Sequence, residues 1–246
     1  MSFGSAYVGE TFSCTLSANN DLSPESGKTI RDVRIEAEMK TPAVVRPQKL
    51  ELGGGSGEEQ RKDLAPGDTL QGVVSFSLKE EGNHVLAVTV SYYEATETSG
   101  RTRTFRKLYQ FICKSSLIVR TKMSPLSSLE PSSSEEDGGG AGKKRWVLEA
   151  QLENCSDDAM QLEKVVMECE EGLRYQDCNW EVSGSAKPVL HPGEVEQVCF
   201  VVYEAQGGIK ATRDGRLMFG VLGIGWRGEM GNRGFLSTGK LGTKAV

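Results

Sequence analysis

The sequence has few of the residues on which most enzymes and metal sites depend. It contains two histidines, His84 and His191, each in a turn-like segment, and its six cysteines form no Cys-x-x-Cys pair. A zinc site or a Ser-His-Asp arrangement is therefore not indicated. Glu168 and Glu170 stand at i, i+2 in a predicted strand, which is more typical of a solvated strand face than of an acid–base pair. We predict no catalytic residue, no cofactor and no metal ligand, so the protein is not expected to be an enzyme.

The sequence also lacks a long apolar run. Its longest apolar stretch, residues 217–226, has about half the length of a membrane-spanning helix. Residues 1–10 have neither the charged start nor the apolar core of a secretory signal. Without such a signal, free thiols are the favoured state of the cysteines. We expect a cytoplasmic protein with no direct membrane insertion.

Clustered positive charge is scarce as well. The formal net charge is −5, which argues against binding to nucleic acid or to an anionic membrane surface. The exception is the basic run over residues 101–107 (RTRTFRK), which we interpret as the polar face of a strand. A docking site for an acidic partner is the alternative.

A glycine-rich segment resembles a nucleotide motif in its letters alone. Residues 223–228 (GIGWRG) match the dinucleotide fingerprint, but that fingerprint works only where the glycines lead into a helix. The residues after Gly228 contain no helix start. We therefore predict a hairpin with glycine-rich ends.

What the sequence does contain is one motif that occurs twice. Residues 64–76 (LAPGDTLQGVVSF) and 190–202 (LHPGEVEQVCFVV) share Leu, any residue, Pro, Gly, an acid and, after two further residues, Gln. Pro followed by Gly predicts a type II turn, and the apolar spacing after it predicts a strand. Upstream of each copy, residues 12–20 and 146–154 alternate in polarity and end at asparagine. A repeat at this distance predicts two copies of one fold.

The rest of the sequence supports an all-β class. It has many turn signals, no amphipathic stretch of helical length and five to seven short strands in each half. The matched strand pairs lie over residues 33–39 and 165–170, 85–93 and 217–226, and 104–112 and 234–241. We predict two tandem immunoglobulin-like β-sandwich domains, over residues 1–113 and 114–246.

Two polar segments interrupt this pattern. Residues 52–61 predict a flexible loop before the first Pro-Gly turn, and residues 124–144 predict a disordered insertion. A strand over residues 116–122 precedes the insertion and opens the second domain, so the junction is expected near Lys114. The serines beside acids in residues 132–137 are either phosphorylation sites or part of a passive loop.

Residue types common at protein interfaces cluster near the end of the chain. We predict partner binding by Trp226, Arg227, Glu229 and Phe235, in and beside the glycine-rich hairpin. The alternative for Trp226 is a core position at the end of a central strand. Two further aromatic residues in an irregular stretch are candidates for exposure; they are Tyr175 and Trp180.

Several short segments resemble a known family. They are residues 9–14 (GETFSC), 19–21 (NND), Tyr92, 105–107 (FRK), 148–154 (LEAQLEN) and 226–239 (WRGEMGNRGFLSTG). Together they are similar to the subunit-13-like proteins of the TRAPP (transport protein particle) vesicle-tethering complex, and the long insertions resemble a fungal member.

The resemblance implies an accessory subunit of a TRAPP II-type assembly, acting peripherally at Golgi membranes. Its partners would be other TRAPP subunits and, indirectly, a Rab-family GTPase whose nucleotide exchange the assembly promotes. A non-catalytic scaffold is the first hypothesis. An adaptor- or arrestin-like module that binds cargo tails or short peptides is the second. A peptide receptor should present an open edge strand or groove, and a scaffold a broad apolar patch.

Overall fold

Apolar and polar side chains alternate along much of this chain, as is typical of β-strands with one buried face. In the strand Thr69–Ser77, for example, Leu70 and Val74 are buried while their immediate neighbours are exposed. The computed structural model describes residues 6–53, 61–126, 144–205, 209 and 211–244. Within these ranges the regular structure is β apart from a 3-10 turn, Pro24–Ser26, and a short helix, α1 (Trp180–Ser183). The predicted all-β class is confirmed.

The chain divides into two compact units, Met1–Lys114 and Ser115–Val246. The domain limits expected from the sequence differ from this division by one residue. Most of the predicted loop at 52–61 and of the predicted insertion at 124–144 lies outside the described residues. No helix in the described part of the chain has the length and apolar composition needed to cross a bilayer.

The first unit contains two sheets. Its strands are β1 (Ala6–Tyr7), β2 (Thr11–Asn19), β3 (Thr29–Lys40), β4 (Gln48–Leu50), β5 (Lys62–Leu64), β6 (Thr69–Ser77), β7 (Gly82–Ala95) and β8 (Gly100–Lys114). The larger sheet has the order β1-β8-β7-β3-β4, with β5 also paired to β3, and all its pairings are antiparallel except β1 with β8. The second sheet, within the described residues, consists of β2 and β6 alone.

Both sheets of the first unit contribute to one core. Leu16 and Val74 come from the small sheet, and they share a buried cluster with Ile35, Met39 and Leu86 of the larger one. Two layers of strands therefore enclose the apolar side chains, as in a sandwich. The immunoglobulin-like topology stays a prediction.

The second unit also has two sheets around one core. Its strands are β9 (Leu117–Pro125), β10 (Arg145–Asn154), β11 (Met160–Cys169), β12 (Leu173–Asp177), β13 (Val189–Leu190), β14 (Val195–Glu204), β15 (Arg216–Gly228), β16 (Arg233–Ser237) and β17 (Leu241–Lys244). One sheet has the order β12-β14-β10-β9; the other is β13-β11-β15-β16, with β17 also paired to β15. The largest fully buried side chains of the core are Phe200, Phe219 and Trp226.

The repeated motif forms a corner in the first unit, at the end of β2. The backbone N–H of Asn20 donates to the carbonyl of Asp68 (2.9 Å), and that of Gly67 donates to the carbonyl of Asn20 (2.8 Å). The buried side chain of Asn20 donates from Nδ2 to Leu64 (2.9 Å) and accepts at Oδ1 from the backbone of Leu22 (3.2 Å). One asparagine thus joins the end of a strand to the turn that begins β6.

The second unit repeats this corner bond for bond. The N–H of Asn154 donates to Glu194 (3.0 Å), and that of Gly193 donates to the carbonyl of Asn154 (2.8 Å). The Asn154 side chain donates from Nδ2 to Leu190 (2.8 Å) and accepts at Oδ1 from the backbone of Ser156 (2.9 Å). The sequence repeat is therefore a repeat of structure.

The turn inside each corner is also the same. The acid's N–H donates to the residue before Pro: Asp68 to Ala65 (2.9 Å) and Glu194 to His191 (2.9 Å). Each acid also accepts a bond from that residue's N–H through its carboxylate. The glycine of each motif has a positive φ, +87° and +82°. This matches the predicted type II turn, which requires a positive φ at its third position.

Candidate protein-binding site

The central strand of the second unit separates two faces. Leu222, Ile224 and Trp226 of β15 point to the core, because alternate residues of a strand face opposite sides. Gly223 and Arg227 lie on the opposite face. The predicted partner-binding residues therefore do not share one surface.

Trp226 is a core residue, which is the alternative that the sequence left open. Its side chain is 1% exposed, so it cannot touch a partner directly in this structure. Across the sheet it pairs with Gly234 of β16. A Cβ on Gly234 would overlap the indole ring of Trp226. Trp226 thus helps to pack β16 beside β15 and does not itself contact a partner.

The hairpin between β15 and β16 carries the exposed part of the candidate site. Its loop is closed by two backbone bonds: Gly228 N to Asn232 O (2.8 Å) and Gly231 N to Gly228 O (2.9 Å). Gly231 has a φ of +84°, the left-handed conformation that ends a three-residue hairpin loop. Met230 at the tip is 94% exposed, and Glu229 beside it is also exposed.

Phe235 is the aromatic residue of the candidate site that remains accessible. It lies opposite Gly225 in the register of β15 and β16, and its side chain is 57% exposed. Its ring leans over Gly223, where a Cβ would lie 3.1 Å from Cζ of Phe235. Because Gly223 and Gly225 have no side chain, the ring of Phe235 can lie flat against the central strand. Phe235 and Met230 are exposed apolar side chains on one hairpin.

Arg227 is tied to the sheet by an ion pair. Its Nε and Nη2 donate to one oxygen of Glu163 at 2.8 and 2.7 Å, and Nε of Arg233 lies 3.7 Å from the other oxygen. Two arginines thus share one carboxylate on the strand face that carries Phe235. Exposed ion pairs of this kind add little to stability, so their effect is chiefly on which partner can approach.

Other residues singled out from the sequence are buried or paired. Trp180 begins α1 and is buried, so its predicted exposure is wrong; Tyr175 is half-buried and packs edge-on against Phe200 at 5.6 Å. His84 is fully buried and stacks on Phe111 with ring centroids 5.4 Å apart. These side chains support the two cores.

The thiols and carboxylates of the described residues form no cluster able to hold a metal ion. The cysteines are free in this structure. Burial, reinforced by Glu81 and Glu10, raises the pKa of Cys113 to about 11. Burial also raises the pKa of Cys14 and Cys169. A raised pKa disfavours the thiolate, which is the nucleophilic form.

Sequence reasoning missed two grooves of the first unit, because they result from the narrowness of its small sheet. A groove of 1310 Å³ lies along the β6 side, where Gly53 pairs with Val73. Residues 54–60 follow Gly53 and lie outside the described residues. A second groove, of 710 Å³, lies along the β2 side. No pattern in the sequence signals either groove, since each depends on how many strands pair.

Residues 1–113 match the family model described as "Trafficking protein particle complex subunit 13, N-terminal", and residues 117–245 match "Trafficking protein particle complex subunit 13, middle domain". The two matches together cover almost the whole chain. Their common boundary lies close to the division between the two compact units.

Full-length relatives give the same result. The chain is 30% identical over 254 aligned residues to Trafficking protein particle complex subunit 13 of Xenopus laevis, covering 97% of this chain and 54% of that protein. The proteins of the same name from Bos taurus and Danio rerio are both 28% identical, with the same coverage. The chain thus spans about half the length of the curated relatives it matches. Among solved structures, the C-terminal domain of the Streptococcus agalactiae AgI/II polypeptide BspA is 12% identical, with 98% of this chain and 95% of that chain covered. Its TM-score of 0.27 is too low to support any argument.

Proposed function

The chain belongs to the subunit 13 family of the trafficking protein particle (TRAPP) complex, and on that premise we propose that it is a non-catalytic accessory subunit of a TRAPP II-type assembly. Family membership over both units is the observation that carries this proposal. In this role the protein is cytoplasmic and reaches Golgi membranes through the complex. Its partners are other TRAPP subunits, and a Rab-family GTPase is affected only indirectly through the nucleotide exchange that the assembly promotes.

We place the contact with another subunit on the β15–β16 hairpin. Met230 and Phe235 offer exposed apolar surface there, and the Arg227–Glu163–Arg233 cluster surrounds it with polar groups. An apolar centre with a charged rim is the usual composition of a protein interface. Arg227 and Glu229 contribute to that rim, and Trp226 holds the strand beneath it.

The test is affinity purification of the tagged chain from cytosol, read by mass spectrometry. We expect TRAPP subunits with the wild type and their loss with the double variant Met230→Ser/Phe235→Ser. Both side chains are exposed, so the variant should fold. Val182→Ser removes another exposed apolar side chain, 65% accessible, from the same unit and is the matched control.

Each outcome separates one part of the proposal. Retention of TRAPP subunits by the double variant would keep the complex and reject the hairpin as the contact. Loss with Val182→Ser as well would show a general effect of surface polarity. Recovery of no TRAPP subunit by the wild type would reject the assembly as the partner of this half of the protein.

The second candidate function is a module that binds extended peptides. The observation in its favour is an edge of β2 with which no strand of the described residues pairs, beside an apolar groove in the first unit. This feature is separate from the hairpin of the second unit.

A further inference from the structure

The two units differ in how many strands flank the strand that leads to the corner asparagine. In the second unit, β10 ends at the corner residue Asn154 and has a neighbour on each side: β14 and β9. In the first unit, β2 leads to the corner residue Asn20 and, among the strands of the described residues, pairs with β6 alone. The place that β9 fills in the second unit is therefore open beside β2 in the described part of the first.

The backbone of β2 is arranged to accept a further strand. Asn20 N bonds to Asp68, and Leu78 N bonds to Glu10, so the even-numbered residues between them direct their backbone groups to β6. The odd-numbered residues then direct theirs to the open edge; in the middle of the strand these are Ser13, Thr15 and Ser17. Within the described residues no strand pairs with this edge.

The groove beside this edge has a floor of aromatic and cationic side chains. The β8 residues that line it are Phe105, Lys107 and Tyr109, so a cation lies between two aromatic side chains. Phe105 is 46% exposed although it lies on the face that carries the core. Apolar residues of β3 and β7 line the same groove; among them are Ile30, Val33, Val88 and Val90. The small sheet is too narrow to cover this surface.

The charge of the groove favours a segment that carries acids. Lys107 lines it and has no ionic or hydrogen-bonding partner among the described residues. Glu94, at the corner end, bonds to Lys28 (2.6 Å) and Arg103 (3.0 Å), which hold its pKa below the usual range. Asp21 also lies at that end. The two acids of the lining, Asp21 and Glu94, both lie at the corner end, so Lys107 is the charged side chain that lines the rest of the groove.

We propose that the first unit binds an extended segment of a partner protein as a strand added antiparallel to β2, with apolar and acidic side chains turned into the groove. Backbone hydrogen bonds to the odd-numbered residues of β2 would supply affinity, and the floor of β8 would select the side chains. Phe105 and Lys107, from the basic run at residues 101–107, then belong to the floor of a docking site. This inference rests on the second candidate function, the binding of extended peptides, and is independent of the hairpin contact, since the site lies in the other unit.

The second unit supplies the template for a probe. By the corner equivalence, Leu117, Val119, Thr121 and Met123 of β9 show which positions turn inward beside β10. The probe is a fluorescent peptide based on β9. It keeps Leu117, Val119 and Met123, carries Thr121→Glu, and has serine at every position whose side chain turns outward. The matched peptide carries Thr121→Lys instead. At low ionic strength we expect the 246-residue chain to bind the glutamate peptide at least fivefold more tightly than the lysine peptide.

Variants of the chain then test the edge and the floor separately. Thr15→Pro removes one outward N–H without a bond to β6, a change that edge strands tolerate, and should weaken binding at least tenfold. Thr15→Val keeps that N–H and should bind as the wild type does. Lys107→Ala should bring the two peptides to within twofold of each other. Melting curves by circular dichroism confirm that each variant is folded.

Hydrogen exchange gives a readout that does not depend on the affinity reached. In the free chain the amides of Ser13, Thr15 and Ser17 should exchange faster than those of their even-numbered neighbours, and the glutamate peptide should slow them selectively. Absence of binding by either peptide, or equal binding by Thr15→Pro, would overturn the proposal. If a longer form of the protein no longer binds the peptide, a strand of the protein itself fills the groove. That result would reject a partner protein as the source of the added strand.

Discussion

Burial is the main reason that the pKa values of Cys14, Cys113 and Cys169 lie above the usual range. The thiol of Cys113 is 1% exposed and has a pKa raised to about 11 by that burial. The ring of His84 is likewise enclosed, by Phe76 and Phe111. The sequence did not show that Cys113 and His84 are buried, because each is next to a polar residue.

The raised pKa of Cys113 makes the first unit lose stability in alkali. The unfolded thiol releases its proton from pH ~9, while the folded thiol holds it until pH ~11, so the unfolding free energy falls between these values. At pH 10.5 we expect a loss of about 2 kcal/mol from this group. The measurement is urea unfolding at pH 8 and pH 10.5, followed by circular dichroism. Cys113→Ala removes the titration and should lose about 2 kcal/mol less over that interval; an equal loss in both proteins would contradict the assignment.

The corner is the element in which sequence and structure agree most closely. Pro-Gly, the following acid and the preceding asparagine are short-range signals, and they produce the same bonds in both units. The inward orientation of Trp226 could also have been predicted, because Leu222 and Ile224 lie at alternate positions of the same strand. The glycines between them made it hard to tell which face of the strand was apolar. That β2 has an edge with no partner strand among the described residues was not predictable, because strand pairing depends on contacts far apart in sequence.

The corner asparagine should be a main support of the second unit. Asn154→Ala removes donors to Leu190 (2.8 Å) and Asp158 (2.9 Å) and leaves the backbone N–H of Ser156 without its acceptor, all in a buried place. We expect a loss of about 3 kcal/mol, the cost of several unsatisfied buried groups. Gln151→Ala, an exposed amide on the same strand, should change stability by less than about 0.5 kcal/mol. Urea unfolding followed by tryptophan fluorescence measures both, and similar values for the two variants would refute this role.

At the scale of the whole molecule, the two units have separate cores and an unequal distribution of tryptophan. The buried clusters share no residue, and Trp146, Trp180 and Trp226 all belong to the second unit. Tryptophan fluorescence therefore reports on that unit, whereas far-ultraviolet circular dichroism reports on both.

This distribution allows the coupling between the units to be measured. Asn20→Ala removes the bond to Leu64 and the acceptor for Leu22, and should destabilise the first unit by about 2 kcal/mol. We expect the circular dichroism transition in urea to broaden or separate into two steps, with the tryptophan transition unchanged. An equal shift of both signals would show instead that the two units unfold as one.

The corner that occurs twice also has a meaning for descent. Matching bonds at two places in one chain are the pattern that duplication of a single domain within one gene leaves. The two units differ at the neighbouring strand position, which β9 fills in one and which no strand of the described residues fills in the other. A sheet that ends at such an edge keeps backbone groups available for the recognition of a further strand.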